Sequence, residues 1–125
     1  MTPTLKETVM ALFNFRRKED APAAAPLEAF LKGYSIEVMP RTAEKVESFR
    51  DILPKGTRVY IAHIEGTPIE DMVATARRLA DEGFVVMPHF PARIIANKAT
   101  LADWIARYQG EAGIKQALLL DALFL

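Results

Sequence analysis

The sequence predicts an α/β domain with a parallel sheet, and three observations carry that prediction. Short apolar runs of strand length alternate with amphipathic stretches of helix length, and the chain repeats this unit four times. Glycine or proline stands at most of the junctions, as the turns between such units require. The 125 residues are 50% hydrophobic and 26% charged, which suffices for one compact core and excludes a disordered tail.

The N-terminal segment carries Leu5, Val9, Leu12 and Phe13 at helical spacing, with Arg16, Arg17 and Lys18 where cations complement a helix dipole. An outer helix is expected there, followed by a Pro/Ala linker from Glu19 to Pro26, so that residues 1–26 precede a domain spanning 27–125. The first unit has a strand at Tyr34–Met39. Its helix is expected from Thr42 as cap, with Val46, Phe49, Ile52 and Leu53 as the apolar stripe and Pro54 and Gly56 as the stop. The second unit runs from a strand at Arg58–Ile64 into a helix in which Thr67 caps, Pro68 takes the first helical position and Glu70 reaches back. Met72, Val73, Ala76, Leu79 and Ala80 form its inner stripe, and Gly83 supplies the left-handed stop. The third unit is a strand at Phe84–Met87, a turn at Pro88-His89-Phe90-Pro91, and a helix from Thr100 through Trp104 and Tyr108 that Gly110 and Gly113 close. The fourth contributes a strand at Lys115–Leu120.

Composition narrows function by exclusion. Sixteen basic and sixteen acidic residues cancel, so no global field argues for nucleic acid or an anionic membrane as partner. The absence of cysteine removes disulfides and thiolate chemistry and fits a cytoplasmic protein. No apolar run approaches the roughly 20 residues that span a bilayer, and no spacing argues for a metal, a phosphate-cradling glycine loop or a nucleophile triad.

Sequential strands joined by short crossovers give the order 1-2-3-4, in a sheet that is either open or closed. Both kinds place their ligands at the C-terminal ends of the strands. Polar groups gather there: Glu37 between Ile36 and Val38, His63 after Val59 and Ile61, and His89 after Val85 and Met87. A lone acid in a strand is ordinarily an edge residue facing water. Glu37, however, lies between Ile36 and Val38 in the first core strand, where an acid is either costly or chemical, and the functional reading is favoured. For His63 and His89 a structural reading stands beside the functional one, namely a hydrogen-bonded histidine of the core. Arg41, Arg77 and Arg78 read as solvated helix-face charges.

Ser35-Ile36-Glu37-Val38-Met39-Pro40-Arg41-Thr42 resembles the first-strand signature of methylenetetrahydrofolate reductases, which are flavin-dependent (β/α)8 barrels. Pro88-His89-Phe90 is similar to that family's Pro-His-Leu turn after the third strand. Gly113 to Asp121 is similar to the segment ending in Leu-Arg-Gly-Asp after the fourth, with Leu119 and Leu120 standing where the family has Arg-Gly. The resemblance spans Tyr34 to Asp121. It implies a TIM-type barrel, of which these four units form half, and an oxidoreductase that passes a hydride from NAD(P)H through FAD to a methylene-tetrahydrofolate. It assigns Glu37 as the acid that protonates a folate nitrogen, Asp121 as the carboxylate beside the flavin, and His89 as a flavin contact, with His63 as a second candidate at the cofactor.

A second class stands beside the enzyme: a non-catalytic half-barrel that serves as an interaction module. In either class an inner face carrying Val59, Ile61, Val85, Met87 and Leu118, uncovered by helices, is expected to drive self-association into a homo-oligomer.

Overall fold

The computed structural model describes residues 4–5 and 21–121. The outer helix expected over Thr2–Phe15 lies almost wholly outside the described residues, as do Glu19, Asp20 and the tail after Asp121. The remainder of the expected linker is not extended. Ala21–Leu31 forms a helix, α1, with Pro26 inside it, because a run of alanines has the strongest helix propensity available. A three-residue turn, with Gly33 left-handed at φ 72°, then leads into the sheet.

The sheet has four strands in the order β1-β2-β3-β4: β1 is Ser35–Val38, β2 Arg58–Ile61, β3 Val85–Pro91 and β4 Leu118–Leu120. All three pairings are parallel. Register aligns Glu37 with Tyr60 and Met87, and Ile36 with Val59 and Val86. Between the strands lie a one-turn helix α2 (Pro40–Ala43), the long α3 (Ile69–Asp81) and α4 (Lys98–Ala112).

The two faces of the sheet differ. Val59, Ile61, Val86 and Phe90 are buried with Met72, Val73, Ala76 and Leu79 of α3 and with Trp104 and Tyr108 of α4 in one apolar core. Complete burial of residues such as Ile61 and Leu79 stabilises the fold by about 1.5–3 kcal/mol each. On the other face Ser35, Glu37, Arg58 and Val85 are exposed, and Tyr60, Met87, Leu118 and Leu120 are half-buried. This face, free of helices among the described residues, corrects one expectation. Val59 and Ile61 were expected on it beside Val85 and Met87, but register places Arg58 and Tyr60 there, and both Val59 and Ile61 are fully buried under the helices.

Three local expectations also change. The helix expected from Thr42 to Leu53 stops at Ala43 and resumes only as a 3-10 turn at Phe49–Asp51. The carbonyls of Ala43, Val46 and Glu47 instead accept hydrogen bonds from the Arg78 guanidinium of α3. That guanidinium also stacks over the Phe49 ring at 5.0 Å and pairs with Glu82 at 3.2 Å. Arg78 is therefore no solvated helix-face charge: it supplies the donors that a regular helix would have drawn from its own backbone.

Thr42 lies in the first turn of α2, its hydroxyl donating to the Met39 carbonyl, and Met39 is the cap residue. Likewise Pro68, not Thr67, is the last extended residue before α3, and Glu70 pairs with Arg107 of α4 rather than with its own cap. Asn97 caps α4, its side chain accepting from the Thr100 amide at 2.8 Å, and Gly113 ends that helix at φ 65° while Gly110 lies inside it.

The expected turn at Pro88–Pro91 is strand. Val85 donates its amide to Thr57 next to β2, so the nitrogens of Val86, Pro88 and Phe90 point towards β4 and that of Pro91 towards β2. Pairing with β4 begins only at His89 and pairing with β2 ends at Pro88, so neither proline faces a carbonyl it fails to satisfy.

Candidate active site

β1 and β3 bring two of the candidate residues together on the helix-free face. Glu37 and His89 lie on strands separated by β2, yet Glu37 Oε1 is 3.2 Å from His89 Nε2. The small side chain of Ala62 lies just beyond β2, next to β1, where its amide donates to the Val38 carbonyl at 2.8 Å. The two side chains therefore meet over β2 rather than through it. The Glu37 side chain is 58% exposed and that of His89 only 10%. The carboxylate faces solvent while the imidazole is walled in, so the enclosure expected around Glu37 is not supplied by its own strand.

Tyr60 completes the cluster. It is the register partner of Glu37, and its ring lies 6.1 Å from the His89 ring at 55°. Reading the strand alone misses Tyr60, since an aromatic in a strand is ordinarily packing; only the phase of β2 relative to Glu37 marks it. A carboxylate and an imidazole brought within 3.2 Å of each other can share and pass a proton, and a phenol near the imidazole can donate or accept at a third position.

His63 belongs to the other face. Its ring stacks on Trp104 of α4 at 4.8 Å, and Nε2 lies 3.2 Å from the Thr67 carbonyl. A carbonyl only accepts, so Nε2 carries the proton and Nδ1 is the free acceptor, buried with no partner. Burial lowers the proton affinity of this ring below its ordinary value of 6.5, opposed in part by the Thr67 hydrogen bond. His63 is thus a neutral residue of the helix-side core. The structure does not bring it to Glu37 and His89.

Asp121 is exposed and directly follows β4. Strand alternation puts Leu118 and Leu120 on the Glu37 face and carries Leu119 and Asp121 to the other. Glu37 is three strands away, roughly 14 Å across the sheet from strand spacing alone. Asp121 is accordingly not part of the Glu37–His89 cluster.

A concavity lined by Ser35, Lys55, Thr57, Arg58 and Val85 lies at the opposite, N-terminal ends of the strands, away from these groups. Chemistry places the candidate site at Glu37, Tyr60 and His89 instead. Among the described residues no three His, Asp or Glu side chains gather as a metal site would require. No helix among them is long and apolar enough to cross a membrane. No family model matches the chain.

Proposed function

We propose that this chain contributes the first four β/α units of a barrel that reduces a methylene-tetrahydrofolate type one-carbon substrate with NAD(P)H and a flavin. The observation that carries the reading is the Glu37–His89 contact of 3.2 Å on the helix-free face. Both residues stand in the segments that resemble the reductase family, and in a barrel that face is the lumen. The strand order supports the closed form: it never reverses, and reversal is what creates the ligand crevice of an open doubly wound sheet.

The side chains around the pair would border a flavin ring. Tyr60, Met87 and Leu118 offer half-buried, mostly apolar contacts beside two groups able to hydrogen-bond its polar rim. When bound, FAD would supply hydride transfer. Glu37 would hold the proton that the folate nitrogen takes up on ring opening, and His89 would orient that carboxylate and border the ring. The wall that excludes water above Glu37 would come from the rest of the barrel.

Glu37→Gln tests the assignment. It should lower folate reduction by at least about 100-fold, the scale of lost general-acid catalysis, while leaving flavin reduction by NAD(P)H within about twofold. His89→Ala should weaken flavin retention by about tenfold, read from the flavin absorbance band after gel filtration. Unchanged turnover in Glu37→Gln would remove the proton-donor role. A second reading, a half-barrel interaction module without catalysis, is favoured by the exposed sheet edges and by Phe30 at 82% exposure. A protein that takes up no flavin would select it.

A further inference from the structure

We infer that two copies of this chain close one barrel, with β4 of each copy lying parallel to β1 of the other. The inference shares barrel geometry with the proposed function and does not depend on its chemistry. Among the described residues each sheet has two unpaired edges, the outer sides of β1 and β4. Two such sheets joined edge to edge contain eight parallel strands with helices outside, the count at which a parallel sheet closes on itself.

The helix before β1 identifies the occupant. In parallel β/α folds the helix between two strands packs antiparallel to them, over the seam they share. α1 leads into β1 through a three-residue turn, yet its side chains from Ala25 to Phe30 are all exposed, with Leu27 at 41% and Phe30 at 82%. In the inferred assembly it would cover a seam whose other strand comes from the second copy. At the far edge an apolar groove between α4 and β4 is lined by Phe90, Leu101, Ile105, Tyr108, Ile114 and Leu119, and Leu119 is 73% exposed. In the inferred assembly α1 of the second copy would lie in this groove. The Tyr108 phenol, in a residue 2% exposed, is buried beside this groove without a hydrogen-bond partner.

Charges match at both ends of the seam. Lys115 precedes β4 and Glu28 lies in the last turns of α1, so both are at the N-terminal end of the strands. Asp121 follows β4 and Arg41 follows β1, both at the C-terminal end. None of the four has an ion-pair partner within the chain among the described residues. The seam therefore sets Lys115 against Glu28 of the second copy and Asp121 against Arg41. Closure also completes the site, because the second copy roofs the face on which Glu37 stands half-exposed.

The chain contains no cysteine, which makes the test clean. Light scattering of the purified chain should give about twice its 13.9 kDa. Phe30→Asp, a change at a solvent-facing position, should weaken the dimer by at least about 30-fold. Lys115→Glu or Glu28→Lys should weaken it about 3- to 10-fold each, and the two together should restore it. Mixed single-cysteine variants Phe30→Cys and Leu119→Cys should join through a short bifunctional cross-linker, since each linked pair must contain both chains. A monomer at tens of micromolar, an open-ended polymer, or a dimer indifferent to Phe30→Asp would overturn the inference. A colourless dimer would remove the reductase reading and keep this one, whereas a flavin-binding monomer would do the reverse.

Discussion

At the scale of single residues, two histidines with similar sequence surroundings have different fates. His63 lies two residues beyond β2 in the phase of Val59 and Ile61, and His89 lies within β3 in the phase of Val85 and Met87, so His89 meets Glu37 and His63 meets Trp104. Glu37 and His89 were legible as candidates because each is a polar group set in an apolar strand, whereas their contact across β2 was not legible. Tyr60 was not, because its role depends on register, and register is set by contacts distant in sequence. His63 yields a pH prediction whose sign follows from its burial. Folding lowers its proton affinity, so below about pH 6.5 the unfolded chain binds a proton that the native chain does not. Stability should be fully present above that value and fall on acidification through the window beneath it. His63→Phe keeps a ring against Trp104 and should flatten that acid limb in urea titrations run at pH 5 and pH 7.5. An unchanged slope would place the titrating group elsewhere.

At the scale of elements, the two long helices, β1, β2, β4 and the start of β3 could be read from periodicity, whereas α1, the second half of β3 and the segment between β1 and β2 could not. Val46, Phe49, Ile52 and Leu53 have helical spacing, but spacing does not reveal that a guanidinium from α3 will take the carbonyls of Ala43, Val46 and Glu47. A long-range donor outcompeted local propensity. The Phe49 amide makes the reciprocal bond, donating to the Glu82 carboxylate at 3.1 Å. Arg78→Ala should cost about 2–4 kcal/mol, since it leaves carbonyls and the Glu82 carboxylate short of a partner in a part-buried setting. Arg78→Lys should recover less than half, because one ammonium cannot span several acceptors. Chemical denaturation of the two variants checks this, and equal stability of lysine and arginine would show that charge alone suffices.

At the scale of the whole molecule, the parallel order and one-sided helices agree with alternating strand and helix units in the sequence. The face assignment of β2 was missed because Val59, Ile61 and His63 share one phase and His63 read as a lumen group. That phase packs under the helices and carries Arg58 and Tyr60 to the other face. Position in the sheet also ranks local stability. β2 and β3 are the inner strands, and Val59 and Ile61 are fully buried, whereas β4 holds only three residues, with Leu119 at the surface. Amide exchange should therefore be slowest in β2 and the first half of β3 and fastest in β4. Protection of β4 equal to that of β2 in the isolated protomer would contradict this ranking. In a closed assembly the same amides should slow as concentration rises.

Pro88 has a consequence that reaches beyond its own strand. Its ring nitrogen faces the β4 side at the level just before pairing begins. A neighbouring strand that slid one level towards the N-terminal end would meet a position with no proton to give. The third strand thus acts as a keyed edge: a partner strand can seat at the level of His89 but gains nothing by slipping below it. Register errors, the usual hazard of short and featureless strands such as Leu118-Leu119-Leu120, are blocked on one side by a single imino acid. Replacing Pro88 with valine would supply a donor at that level and remove the key, leaving a short leucine strand with two neighbouring seats to choose between.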